Sequence, residues 1–125
     1  MTKKAFYFKW LETFGAGISE KDIENYVKST GNYIWHIFSW DLIGKDKYLI
    51  GGDAKAAFDK TDKQGAAYIV WFENECTKKL TPSLCCADAL DKFTEVYVVG
   101  ENFEWTYIKT HERSCGPYFM NNNNN

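Results

Sequence analysis

The clearest hydrophobic pattern begins near the first residues. From Lys4 to Phe14, the apolar positions Tyr7, Trp10, Leu11 and Phe14 fall three or four apart, the period of an amphipathic helix. Gly15-Ala16-Gly17 interrupts it, and Ser19 then offers an N-cap, with Asp22 three residues on. Ile23, Tyr26 and Val27 share one face of the second helix this predicts, which should end near Thr30, before Gly31 and Asn32. Tyr33 to Trp40 is aromatic and β-branched, with both alternate sets largely apolar, so it reads as a strand covered on both sides. Tyr48-Leu49-Ile50 is a short partner for it across the Gly44–Lys47 turn.

Further on, Gly51-Gly52-Asp53 leads into the short helix Ala54–Phe58, with Asp53 as its N-cap. Ala66 to Phe72 is the clearest buried strand. Thr81-Pro82 starts a helix that turns Leu84, Ala87 and Leu90 inward and ends near Phe93. Two strands, Glu95–Val99 and Trp105–Thr110, form a hairpin around Gly100–Glu104. Gly116-Pro117-Tyr118-Phe119 reads as an irregular aromatic close. The pattern predicts an α+β single domain over residues 1–120: a small mixed or antiparallel β-sheet, a C-terminal hairpin, and helices packed on it. The homopolymer Asn121–Asn125 is expected to be a disordered tail.

Composition narrows the function. The chain has 125 residues and a net charge of −2, from 15 Lys+Arg against 17 Asp+Glu. A sequence pI near 5.7 argues against a nucleic-acid binder, which normally carries a basic patch. The lysines at 45, 47, 55, 60, 63, 78 and 79 alternate with acids and read as solvated faces. No apolar run reaches the length of a membrane span. Met1-Thr2-Lys3-Lys4 is basic, but Lys9 and Glu12 interrupt the segment behind it and no cleavage site follows. A cytoplasmic protein is expected. Cys76, Cys85, Cys86 and Cys115 should then be free thiols, and adjacent Cys85 and Cys86 are poorly placed to pair.

Several stretches resemble one known family. They are Trp35-His36-Ile37-Phe38-Ser39-Trp40, Gly52-Asp53-Ala54 followed by Ala57-Phe58-Asp59, Tyr97-Val98-Val99, Phe103 through Glu112, and Gly116-Pro117-Tyr118-Phe119. In order and spacing, from about Trp10 to Phe119, they are similar to the bacterial domain-of-unknown-function family 4275. The part from Trp105 to Phe119 is the most specific. The resemblance implies a single-domain bacterial cytoplasmic protein and assigns no activity. The Cys76–Cys86 region departs from the pattern.

Two histidines carry the candidate chemistry. His111 and Glu112 end the last strand beside a Gly-Pro loop, with His111 expected near Lys92 and Phe93. Strand alternation would put Trp105, Tyr107, Lys109 and His111 on one face. An imidazole beside a carboxylate suits general acid–base work, and a backbone-tied loop histidine is the structural alternative. His36, expected between Ile34 and Phe38 on a central strand, would meet His111 across the sheet as a polar site. With Cys115, or with one of Cys76, Cys85 and Cys86, the pair would make a zinc site, but no CxxC or HxxxH spacing supports one. Cys115, four residues after His111, is the only thiol placed for Cys-His catalysis. Gly51-Gly52-Asp53 lacks phosphate-loop spacing and sets a carboxylate where the phosphate would sit. The sequence therefore holds no cofactor motif, no complete catalytic set and no metal-ligand pattern.

The aromatics point elsewhere. The chain's 22 Phe, Trp and Tyr exceed what so small a domain usually hides. An exposed surface of Trp40, Trp105, Tyr107, His111, Glu112 and Tyr118, with Phe119 beside them, is expected to hold a protein partner, since Trp and Tyr anchor interfaces. That makes the first expectation a non-catalytic protein-binding module, immunity-type in one form. The alternatives are a small hydrolase-like enzyme using His111 and Glu112, or a zinc-binding domain. The sequence assigns no oligomeric state.

Overall fold

A computed structural model describes residues 1–122. Helices α1 (Lys3–Phe14), α2 (Glu20–Tyr26) and α3 (His36–Ser39) come first. Strand β1 (Leu49–Ile50), helix α4 (Gly52–Lys60), and strands β2 (Ala67–Val70) and β3 (Lys78–Lys79) follow. Helix α5 (Ala87–Leu90) and strands β4 (Val96–Val99), β5 (Trp105–Lys109) and β6 (Tyr118–Asn121) complete the chain. The six strands form one sheet, β1-β6-β5-β4-β2-β3, in which every neighbouring pair is antiparallel.

Both faces of the sheet are covered, which is why its central strands read as continuous apolar runs. One face carries Phe6, Trp10 and Phe14 of α1, with Ile34, Ile37 and Phe38, packed over Ile69, Tyr97, Val99, Ile108 and Tyr118. The other carries Ala54 and Phe58 of α4, with Leu84, Ala87 and Leu90, over Val96, Val98, Trp105, Tyr107 and Phe119. The indole of Trp10 donates to Thr106 Oγ1 at 2.9 Å, and that hydroxyl donates to the carbonyl of Val98 at 2.9 Å, so the threonine buried in β5 leaves no open valence. Such burial of a 125-residue chain is what an α+β domain of this size needs for stability.

The expected first two helices form, with Thr2 accepting from Ala5 N at 3.1 Å and Ser19 from Asp22 N at 3.2 Å. The β4–β5 hairpin also forms, in the register Val96 to Lys109 and Val99 to Thr106. Its turn uses left-handed Asn102 and Phe103, and a side chain at Gly100 would come within 2.4 Å of Trp105 Nε1.

Several expectations are corrected. Tyr33–Trp40 is not a strand: left-handed Gly31 and Asn32 redirect the chain, and α3 turns Ile34, Ile37 and Phe38 inward. Those positions lie three and four apart, so the same apolar run satisfies a helical period. Tyr48–Ile50 contributes β1 but pairs with β6 instead. Gly51, not Asp53, caps α4, leaving Asp53 in its first turn. The helix expected from Thr81 to Phe93 breaks at Cys85-Cys86 into a 3-10 turn over Pro82–Leu84 and α5. The close from Gly116 is ordered as β6, through Asn121. The remainder of the asparagine tail, 123–125, lies outside the described residues.

The two sheet borders differ. Strand β3 presents only Lys78 and Lys79, both exposed, while Met1 and Lys3 bond to the segment just before it. Strand β1 presents exposed Leu49 and Ile50.

Candidate functional site: a histidine held by a buried glutamate

Strand alternation puts Glu95, at the entry to β4, on the same face as Tyr97 and Val99. That face is the one packed under α1 and α3, so the carboxylate has no exposed surface. A buried carboxylate needs donors, and four converge on it. Trp35 Nε1 donates to Oε1 at 3.0 Å, and Tyr97 OH donates to Oε2 at 3.0 Å. The backbone N–H of His111 approaches Oε1 at 3.3 Å, and the imidazole Nδ1 lies 2.6 Å from the same oxygen. These bonds tie the residue before α3, the start of β4 and the loop after β5 to one another.

The bond to Glu95 assigns the proton of His111 to Nδ1. The other ring nitrogen, Nε2, is then an acceptor when the ring is neutral, and it lies 3.5 Å from Glu112 Oε1. The side chain of His111 is 24% exposed. Its ring packs 4.8 Å from Tyr33, 5.6 Å from Trp35 and 5.8 Å from Phe72.

His36 lies against the same two rings from the other direction, 4.3 Å from Trp35 and 6.2 Å from Tyr33. The two histidines therefore flank one aromatic pair on one side of the sheet, although His36 comes from a helix and not from a strand. His36 Nδ1 is 2.9 Å from Ser39 Oγ. Burial lowers the pKa of His36 below its ordinary value, and the nearby His111 acts in the same direction, against weaker opposition from the Thr30 backbone, Glu95 and Glu112. The Tyr97 hydroxyl is pushed far up, first by burial and then by the charge of Glu95.

The surface expected at the hairpin is corrected. Trp105, Tyr107, Tyr118 and Phe119 are all buried: α4 and α5 cover Trp105, Tyr107 and Phe119, and Phe38 and Tyr48 cover Tyr118 on the opposite face. Only Trp40 of the expected rings stands out, at 53% exposure. His111 does not continue the alternation of Trp105 and Tyr107: β5 ends at Lys109, and the bend after it swings the imidazole to the opposite face. Phe72, 52% exposed, was not singled out as surface by the pattern, and Tyr26, read as part of the apolar face of the second helix, is 37% exposed. Tyr26 and Trp40 pair at 5.5 Å, and Tyr33 and Phe72 at 6.2 Å.

His111 and Glu112 also line a cleft of about 330 Å³ with Lys92, Lys109, Arg113 and Cys115. The Cys115 thiol lies 3.9 Å from Ser114 Oγ and makes no bond to His111. All four cysteines are free. Among the described residues, no three His, Cys, Asp or Glu side chains gather as a metal site. No helix there is long and apolar enough to cross a membrane.

Glu95 is the functional candidate that the sequence reading passed over. Its signal was present, since an acid sharing a face with Tyr97 and Val99 is bound for the interior. The model of a family described as a domain of unknown function, DUF4275, matches residues 3–119. No curated protein and no solved structure matches the chain.

Proposed function

The chain belongs to the DUF4275 family, and from that premise we propose that it is a non-catalytic protein-binding module of the bacterial cytoplasm. The observation that supports this is the set of large rings left exposed beside a fixed histidine. Trp40 and Tyr26 form one pair, and Phe72 with Tyr33 and His111 forms another. His36 and Trp40 lie four residues apart around α3, which links the two pairs along one helical face. Exposed aromatics held in place by neighbours bind at low entropic cost, which is why such residues anchor interfaces. An immunity-type role, in which this face covers a toxin domain, is one form of the reading.

The test is photo-crosslinking from position 72 in the producing cell, repeated with Trp40→Ala and with Lys78→Ala, on strand β3 and outside both ring pairs, as a control. One partner joined at position 72, lost with Trp40→Ala and kept with Lys78→Ala, is the expected result. Identical products from all three proteins would refute the docking face.

A second reading is supported by the 2.6 Å contact between Glu95 and His111. A buried carboxylate that fixes one imidazole nitrogen and leaves the other near a cleft suits a general acid–base residue of a small hydrolase. No hydroxyl or thiol bonds to Nε2 among the described residues, so this version would use water as the nucleophile. Loss of a hydrolytic activity in His111→Gln, with the fold intact, is its test.

A further inference from the structure

We infer that the cleft beside His111 is a binding site for a small phosphate monoester. Its walls come from the end of β5, the loop that follows, the entry to β4 and Lys55 of α4. The charges there do not balance. Asp91 is taken by Lys55 at 3.3 Å, and Glu112 lies by His111 at 3.5 Å. Lys92, Lys109 and Arg113 make no ion pair among the described residues, and even with Glu112 counted in full the lining keeps two positive charges in excess.

Lys109 is the most telling of them. Its ammonium is partly buried and donates to the carbonyls of Phe93 at 2.6 Å and Thr94 at 3.3 Å, both neutral. An ammonium has three donors, so one remains while the full charge stays unmatched. Lys92 rests its ammonium over the Phe93 ring at 5.2 Å, and Arg113 makes no hydrogen bond or ion pair among the described residues. Uncompensated positive charge gathered in one concavity is a local feature, since the chain as a whole carries −2. Walls of low dielectric focus such a field on a bound anion.

The size and charge of the cleft choose among anions. A volume of about 330 Å³ lies at the small end of ligand sites, enough for a phosphoryl group and a short carbon skeleton. A phosphate monoester is close to doubly charged at neutral pH, and its oxygens suit the arginine fork and two point-charge ammoniums together. A singly charged carboxylate would leave more of the charge unmatched. The docking reading shares only His111 with this site, because Trp40, Tyr26, Tyr33 and Phe72 do not line the cleft.

The experiment titrates isotope-labelled protein with glycerol 3-phosphate and follows backbone amide shifts. Matched titrations use succinate, a phosphoserine peptide, and potassium chloride at the same ionic strength. Saturable shifts at His111, Arg113 and Gly116 with glycerol 3-phosphate, weaker with succinate and absent with potassium chloride, are expected. Lys92 and Arg113 are exposed, and Lys92 makes only its contact with the Phe93 ring, so Lys92→Ala and Arg113→Ala should each weaken binding about tenfold without unfolding the protein. Shifts that do not saturate, that potassium chloride reproduces, or that survive when Lys92→Ala and Arg113→Ala are combined in one protein overturn the assignment. So does tenfold tighter binding of the peptide, which would make the ligand a phosphorylated protein segment.

Discussion

The imidazole of His111 lies 2.6 Å from the carboxylate of Glu95, and that carboxylate has no exposed surface. The pair joins a loop to the interior. His111 follows the end of β5, Glu95 opens β4, and the indole of Trp35 bonds to the same oxygen from the helical layer above. The eight-residue loop from Thr110 to Pro117, before β6, is thereby anchored by a side chain near its start, so the contact positions both the exposed rings and the cleft.

Glu95→Ala should unfold at lower urea than the wild type, with a loss of about 3–5 kcal/mol, because it leaves buried donors without an acceptor. Glu95→Gln keeps an acceptor but sets an amide N–H₂ among those donors, and should lose about 1–3 kcal/mol. Equal, small losses in both variants would mean that the four bonds carry little of the stability.

The pH dependence of His36 has a definite sign. Burial puts its folded pKa below the ordinary 6.5, so the unfolded chain takes up the proton first. The stability it contributes is complete above 6.5 and is lost as pH falls from there through the folded value. The urea midpoint of the wild type should therefore drop more steeply over this range than that of His36→Gln. Parallel curves for the two proteins would contradict this, as would a ring resonance of His36 titrating above 6.5.

Alkaline pH should act through the tyrosines. Burial, with help from Asp41, raises Tyr48 to about 12, and burial followed by Glu95 carries Tyr97 far above 10. Tyr7, Tyr107 and Tyr118 are also raised, chiefly by burial. Each favours its neutral form in the fold, so this stability is complete below pH 10 and is lost as pH rises towards the folded values. Tyrosinate absorbance from these five phenols should appear together with loss of the circular dichroism of the fold. Their full ionisation in a protein still folded would refute the expectation.

Tyr107→Phe should leave the protein as stable as before, or stabilise it by up to about 1–2 kcal/mol. The Tyr107 hydroxyl is buried without a hydrogen-bond partner among the described residues, while its ring stacks on Phe58 at 4.5 Å. Removing the oxygen keeps the stack. A loss above about 1 kcal/mol in thermal or urea unfolding would show that the hydroxyl is satisfied in solution.

The helices at the start and the β4–β5 hairpin were legible because their signals are local: a capping serine, a three-and-four spacing, and two apolar runs around a glycine turn. Tyr33–Trp40 misled because a run apolar on every side fits a buried strand and a buried helical turn equally well. What decides between them is the turn at Gly31-Asn32, which is not written in the run itself. Tyr118 was taken for surface because the rings that cover it, Phe38 and Tyr48, come from seventy to eighty residues earlier in the chain. Trp105 and Tyr107 are hidden on the other face by α4 and α5. Glu95 was overlooked for the opposite reason: its strand was read correctly, but the consequence of an acid on the inward side was not drawn.

The unequal borders of the sheet bear on how copies of this protein meet. Lys78 and Lys79 guard one border, and like charges there oppose the approach of another strand. The border of Leu49 and Ile50 has no such guard. Two molecules that met through it would turn lysine outward at both ends, leaving no sticky rim for a third. Crowding would then yield pairs that stop, not fibres that grow.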